Sequence, residues 1–199
     1  MKELKEILNE LETLLKKSNY PIFNYLQEGK KDNAFSDVEE LFDSLKFPVR
    51  EDIVEMYKWK NGVRGIYQTA IGKLELFTNG IMLPFEYAVS SYALEVKTQK
   101  LFGKEYFPLF TSGGGDYIIM NMDNKNNSFG QLFLFSPSVL LTNKPISIYD
   151  SLTSLFKTVL ELYIKKGYFF ESEDLEIDYD LEKEISITMN PKSKFWIEN

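Results

Sequence analysis

The sequence predicts an α+β fold, a central mostly antiparallel β-sheet flanked by N-terminal and C-terminal helices. Apolar residues repeat at helical spacing near both ends, as Leu4, Ile7, Leu8, Leu11, Leu14 and Leu15, and again as Leu152, Leu155, Phe156, Val159, Leu160 and Tyr163. Between them lie short apolar runs, Tyr106–Phe110, Asp116–Asp123 and Gly130–Phe135, bounded by Gly- and Asn-rich turn signals. The polar stretch Asn124–Ser128 joins two of these runs, so an antiparallel hairpin is their natural pairing. Strand runs enclosed by helical runs are the α+β pattern.

In chain order, residues 2–17 predict the first helix, closed by Lys16 and Lys17. Its stripe reads as a partner-binding face or, more simply, as cover for the domain's own core. Asn19–Phe35 is a connector broken by Pro21 and Gly29. Ser36–Glu39 has the form of a capping box for a second helix with Val38, Leu41, Phe42 and Leu45 inward. Pro48 then opens a helix whose inner face is Ile53, Val54 and Tyr57. Acidic Glu51 and Asp52 at its start and Lys58 and Lys60 at its end match the helix dipole, and Asn61–Gly62 stops it. Strands are expected at Gly65–Ile71 and Lys73–Phe77, followed by a turn at Thr78–Gly80, the run Ile81–Leu83 and a helix from Phe85 to about Thr98 opened by Pro84. Asp150 or Ser151 caps the last long helix, which runs through Lys166 to Gly167. The tail ends in Phe195–Trp196, aromatics expected to dock it.

One domain over 1–199 is expected, with a helical part at 1–62, a sheet with one inserted helix at 63–149, the long helix at 150–167 and an acidic segment with a docked tail at 168–199. The hydrophobic content of 44% and charged content of 27% are those of an ordinary globular chain. The chain has no Cys and no His, which excludes disulfides, Cys/His zinc sites, a Cys nucleophile and a Ser-His-Asp triad. The net charge is −7, and Glu171–Glu184 alone holds eight acidic residues against one lysine, so the rest of the chain is balanced. Net acidity argues against nucleic-acid binding, which needs a basic surface. The charged N-terminus lacks the apolar core of a secretory signal, and no apolar run approaches the ~18 residues that span a bilayer. A cytoplasmic protein with no membrane association is expected.

Several motifs invite a chemical reading. Gly113–Gly115 resembles a phosphate cradle, but it feeds the strand-like Tyr117–Met120 and no Walker lysine follows, so a tight turn is expected. Asp123–Asn127 resembles a calcium loop, yet Lys125 sits at the third position and Leu134 at the twelfth. Asp116 and Asp123 stand an odd number of residues apart, on opposite faces of a regular strand, and cannot act as a paired acid and base. In the acidic segment Leu175, Ile177, Tyr179 and Leu181 alternate with Glu176, Asp178, Asp180 and Glu182. The segment reads as a solvated linker, a divalent-cation site, or a surface that packs one side and presents a carboxylate row to a partner. The candidate contacts are Glu173, Asp174, Glu176, Asp178, Asp180 and Glu182. Trp59 reads as an interface anchor or as packing at a helix end. No catalytic, metal-binding or cofactor-binding residue is expected, and no cofactor.

The segment Pro48…Tyr57-Lys58-Trp59-Lys60-Asn61-Gly62 resembles the signature of the SUKH (Smi/Knr-like) superfamily. The likeness continues through Phe110…Gly114-Gly115-Asp116-Tyr117-Ile118, the long helix and the closing Asn190-Pro191…Ser193-Lys194-Phe195-Trp196. The resemblance implies an α+β fold of helices around a central sheet and action by binding rather than catalysis. Its members are mostly bacterial immunity proteins that block a co-produced toxin, often a nuclease or deaminase, with a fungal cell-wall-synthesis regulator as a relative. It also implies that Trp59, Asn61, Gly62 and Asp116 are fold determinants. Expected on this basis is an immunity protein whose partner is a cognate toxin, and the acidic segment favours a basic one. The alternatives are a regulatory or scaffold module of the same fold and, last, an enzyme using carboxylates or a metal.

Overall fold

The computed structural model describes residues 3–31, 40, 42–66, 68–98 and 102–198, and the predicted capping box Ser36–Glu39 and Leu41 lie outside the described residues. Helix α1 (Leu4–Lys17) buries Leu4, Ile7, Leu8, Leu11 and Leu15, with Leu14 half-buried. Its stripe covers this domain's own core, packing against α2 (Glu51–Trp59) and α5 (Leu152–Ile164). Asn19 closes α1 in the left-handed conformation (φ 52°), and the Tyr20 N–H returns to the Leu15 carbonyl at 3.1 Å.

The main sheet has five antiparallel strands that neighbour one another in chain order: β3 (Ile81–Met82), β4 (Tyr106–Thr111), β5 (Tyr117–Asn121), β6 (Leu132–Phe135) and β7 (Ile146–Tyr149). Pro108 stands inside β4, where the register slips between Pro108 and Phe110, the kind of bulge that tolerates a missing N–H. Two ribbons lie outside this sheet, β1 (Leu26–Glu28) with β2 (Lys60–Val63), and β8 (Tyr168–Glu171) with β9 (Asp174–Ile177). Helix α3 (Phe85–Thr98) packs on β4, and the single turn α4 (Pro137–Leu140) precedes β7. Helices α6 (Tyr179–Met189) and α7 (Lys194–Glu198) end the described chain.

Both faces of the central strands are buried. Phe107, Leu109, Phe110, Ile118, Ile119 and Met120 are all fully buried, which is why these strands read as continuous apolar runs. Phe107 sits among Phe42, Phe47, Phe85 and Tyr92 with ring centroids 5.2–6.4 Å apart, mostly edge to face. Phe110 instead meets Phe77 and, on α5, Phe156. Ser151 and Ser154 form a reciprocal capping box at the start of α5. Its other end closes through Lys166 (φ 60°), with the Gly167 N–H on the Leu162 carbonyl at 2.8 Å.

The tail is held by buried polar side chains. The Asn190 amide donates to Thr158 Oγ1 at 3.0 Å and accepts from the Asp150 N–H at 3.1 Å. The Ser193 hydroxyl donates to the Ser147 carbonyl at 3.2 Å. These bonds set α7 against β7 and place Trp196 beside Tyr149.

The structure corrects three expectations in the N-terminal half. Helix α2 starts with Arg50 as its cap, so Pro48 precedes the helix instead of opening it. Arg50 grips Asp52 with two hydrogen bonds, at 2.9 and 2.6 Å, and lies over the Phe129 ring. Asn61–Gly62 does not close α2, because the chain passes from Trp59 straight into extended Lys60 (φ −145°) and β2. Neither Gly65–Ile71 nor Lys73–Phe77 contains a strand among the described residues. A turn at Gly65 and a single 3-10 turn at Ile71–Lys73 stand there. Leu74, Leu76 and Phe77 are all fully buried, a pattern no single strand face can satisfy.

Asn61 and Gly62 join the N-terminal helices to the sheet. The Asn61 side-chain oxygen accepts from the Phe85 N–H at 3.0 Å, capping α3 from outside it. Gly62 (φ 71°) lies so close to Leu83–Pro84 that a Cβ would come within 2.3 Å of the Pro84 nitrogen and 2.4 Å of the Leu83 carbonyl carbon. Gly62→Ala is expected to cost about 3 kcal/mol or more in urea denaturation, since backbone strain and a backbone clash add. Gly114→Ala, with nothing nearer than the Ser112 hydroxyl at 3.5 Å, is expected to change stability by about 0.5 kcal/mol at most. Similar midpoints for the two variants would contradict this account of Gly62.

Candidate partner-binding surface

The β8–β9 hairpin carries the first half of the acidic segment. Its turn residues Ser172 (φ 50°) and Glu173 (φ 74°) are both left-handed, as a two-residue hairpin turn of type I′ requires. Cross-strand register pairs Phe169 with Glu176 and Glu171 with Asp174 on one face, and Tyr168 with Ile177 and Phe170 with Leu175 on the other. The second face packs on the core. The first is outward, with Glu171, Asp174 and Glu176 exposed around Phe169, whose ring is 39% exposed. Phe169 and Glu171 lie outside the six expected contacts, because the apolar–acidic alternation of the segment begins only at Leu175. Glu173 ion-pairs with Lys73 across to the 3-10 turn, and that bond holds the Lys73 ammonium above its ordinary range.

The predicted carboxylate row does not continue past Ile177. Asp178 leaves the sheet as the N-cap of α6, accepting from the Leu181 N–H at 3.0 Å. Asp180 is exposed in the first helical turn. Tyr179, expected to pack, is 68% exposed. Glu182, expected on the surface, is only 2% exposed and accepts a hydrogen bond from the Tyr168 hydroxyl. The helical spacing of Leu181, Ile185 and Met189 behind a capping Asp was the signal for this change of structure. Glu173, Asp174, Glu176, Asp178 and Asp180 therefore remain as surface candidates, and Glu182 belongs to the interior.

Burial pushes the Glu182 carboxyl above the ordinary range. Glu75, half-buried before the Thr78–Gly80 turn, accepts from the Asn79 N–H at 3.2 Å. Burial is the largest cause raising its carboxyl to about 7, against the pull of that hydrogen bond, and the charges of Asp174 and Glu182 push it further up.

The remaining motif residues have structural positions. Trp59 is 9% exposed and meets Phe156 edge-on at 5.8 Å, so it packs the α2–α5 contact. Asp116 closes the β4–β5 hairpin, where the Ser112 hydroxyl accepts from the N–H groups of Gly114 and Asp116 at 3.1 and 3.3 Å. Gly113 and Gly115 are left-handed there (φ 77° and 104°), and strand, not helix, follows, which leaves no helix N-terminus to hold a phosphate. In the next hairpin loop Asp123 and Asn126 accept from the N–H groups of Lys125 and Ser128, each at 3.0 Å. No cluster of three or more acidic side chains placed to hold a metal occurs among the described residues.

No protein-family model matches the chain, and no curated protein is significantly similar to it. No helix among the described residues is long and apolar enough to cross a membrane.

The Glu75 carboxyl gives this region a pH signature. Its folded pKa of about 7 exceeds the ordinary 4.5, so the folded state keeps the proton longer. Its contribution therefore lowers stability as pH rises from about 4.5 through about 7, and adds no further slope above that. Glu75→Gln is expected to be about 1–3 kcal/mol more stable than wild type near pH 8 and equal to it near pH 4, by urea denaturation at each pH. A variant no more stable than wild type near pH 8 would contradict this reading.

Proposed function

We propose that this chain is an immunity protein that binds a cognate bacterial toxin domain, a nuclease or a deaminase, and neutralises it by sequestration in the cytoplasm. The observation that carries the reading is the outer face of the β8–β9 hairpin, where exposed Phe169 is ringed by Glu171, Asp174 and Glu176. Among the described residues none of these three carboxylates is in an ion pair. An exposed aromatic anchor among exposed carboxylates fits a basic partner, because the charge steers encounter and the ring supplies contact area. Asp178 and Asp180 extend the same charge onto the start of α6. The likeness of the Trp59–Gly62 and Gly114–Ile118 segments to the SUKH superfamily supports the same reading, as does a composition without His or Cys.

The test is co-purification from the native host at low salt, followed by expression of the captured partner with and without this chain. A stoichiometric partner that is toxic alone and harmless when co-expressed supports immunity. A non-toxic signalling or cell-wall partner overturns it in favour of a regulatory module. With the toxin in hand, Asp174→Lys combined with Glu176→Lys is expected to slow association about ten-fold at low salt, and Phe169→Ala to weaken binding by about 1–3 kcal/mol, mainly through faster dissociation. An association rate indifferent to salt in the wild-type protein would remove the electrostatic part of the proposal.

A further inference from the structure

A cavity of ≈ 140 Å³ lies between one face of the main sheet and the docked helices α6 and α7. Ile118 and Leu134, paired across β5 and β6, form its apolar floor. Its walls are aromatic. Tyr149 and Trp196 stand 6.3 Å apart with their rings inclined at 56°, and Phe195 meets Trp196 edge-on at 4.9 Å. Rings inclined in this way pack against one another while each lines the cavity. Tyr179, in the first turn of α6 and mostly exposed, lines the cavity from the solvent side. One helical turn further along, Glu182 brings a buried carboxyl into the lining.

That carboxyl is the unusual feature. The Tyr168 hydroxyl and the neighbouring Thr78 supply donors but no positive charge, and no lysine or arginine among the described residues pairs with it. Glu75 is a second carboxyl close enough to feel its charge. An anion would be repelled here. A metal ion or a strongly hydrated ammonium would lose its water against Ile118 and Leu134 without replacement. A neutral ring would leave the carboxyl unanswered. A methylated ammonium satisfies every wall at once: its methyl groups suit the apolar floor, its diffuse charge suits the ring faces, and the carboxylate neutralises it.

We propose that the cavity framed by Tyr149, Tyr179, Trp196 and Glu182 is a binding site for a methylated ammonium group, carried either by a small molecule or by a trimethyllysine side chain. This site is separate from the outward hairpin face and does not rest on the immunity reading.

Calorimetric titration of the full chain with choline and with its neutral isostere 3,3-dimethylbutan-1-ol separates charge from shape. Choline is expected to bind about ten-fold more tightly than the isostere. Glu182→Gln is expected to erase that preference while leaving the isostere's affinity unchanged, and Leu134→Trp, which fills the floor, to remove both. A peptide bearing trimethyllysine, titrated in parallel, identifies the source: tighter binding of the peptide assigns the group to a protein side chain, tighter binding of choline to a small molecule. Equal affinities for choline and the isostere in the wild-type protein overturn the proposal, as does a wild-type protein that binds neither choline nor the peptide.

Discussion

The contact on which the architecture depends has almost no side chain in it. At Gly62 the backbone of β2 lies directly against the backbone of Leu83 and Pro84, where the sheet gives way to α3. Beside it the Asn61 amide binds both the first N–H of α3 and the Glu86 carboxylate. This pair decides how the N-terminal helices sit on the sheet, since β2 continues α2 without a loop. Trp59, two residues earlier, then reaches Phe156 on α5. One short run of residues thus ties α2, α3, α5 and the sheet edge together. Apolar burial supplies most of the driving force, but it is non-directional, and a backbone approach that admits only glycine supplies the register.

The segment from Tyr168 to Asn190 shows how one acidic stretch divides its charges among different tasks. Glu173 answers Lys73 at the hairpin turn, Asp178 satisfies a backbone N–H of α6, and Glu182 enters the core. Glu171, Asp174, Glu176, Asp180 and Glu184 are left facing water without such a structural partner among the described residues. The net charge of the stretch therefore overstates the charge a partner would meet, and the arrangement of the remaining carboxylates around Phe169 matters more than their number.

The long-period features were legible in the sequence. The stripes of α1 and α5 and the Ser151 cap stand where the spacing placed them, because helical periodicity sustained over three or four turns has few competing explanations. Strands β4, β5 and β6 and the turn at Gly113–Gly115 were legible for a related reason: apolar runs between strong turn signals pair with their neighbours. Three stretches were not. Ile146–Tyr149, only four residues long, was not among the expected strands. Leu74, Leu76 and Phe77 look like a strand but are buried by irregular chain, since tertiary packing and not local period fixes them. In Asp178–Glu182 alternation and helical spacing overlap over too few residues to be told apart, and the long-range contact of Tyr168 with Glu182 decides the outcome. That contact joins residues on different elements, so no local pattern announces it.

The buried carboxyl of Glu182 is a feature that stability alone does not explain. A leucine there would fill comparable space without desolvating an acid, and replacing buried charged groups by apolar ones is commonly neutral or stabilising. The Tyr168 hydroxyl and the neighbouring Thr78 compensate part of the desolvation, yet burial still holds the carboxyl above its ordinary range. It also borders a solvent-accessible cavity with aromatic walls. An acid with no cationic partner beside such walls is a departure from what folding alone favours. A compact cation with an apolar surface would answer both the charge and the rings.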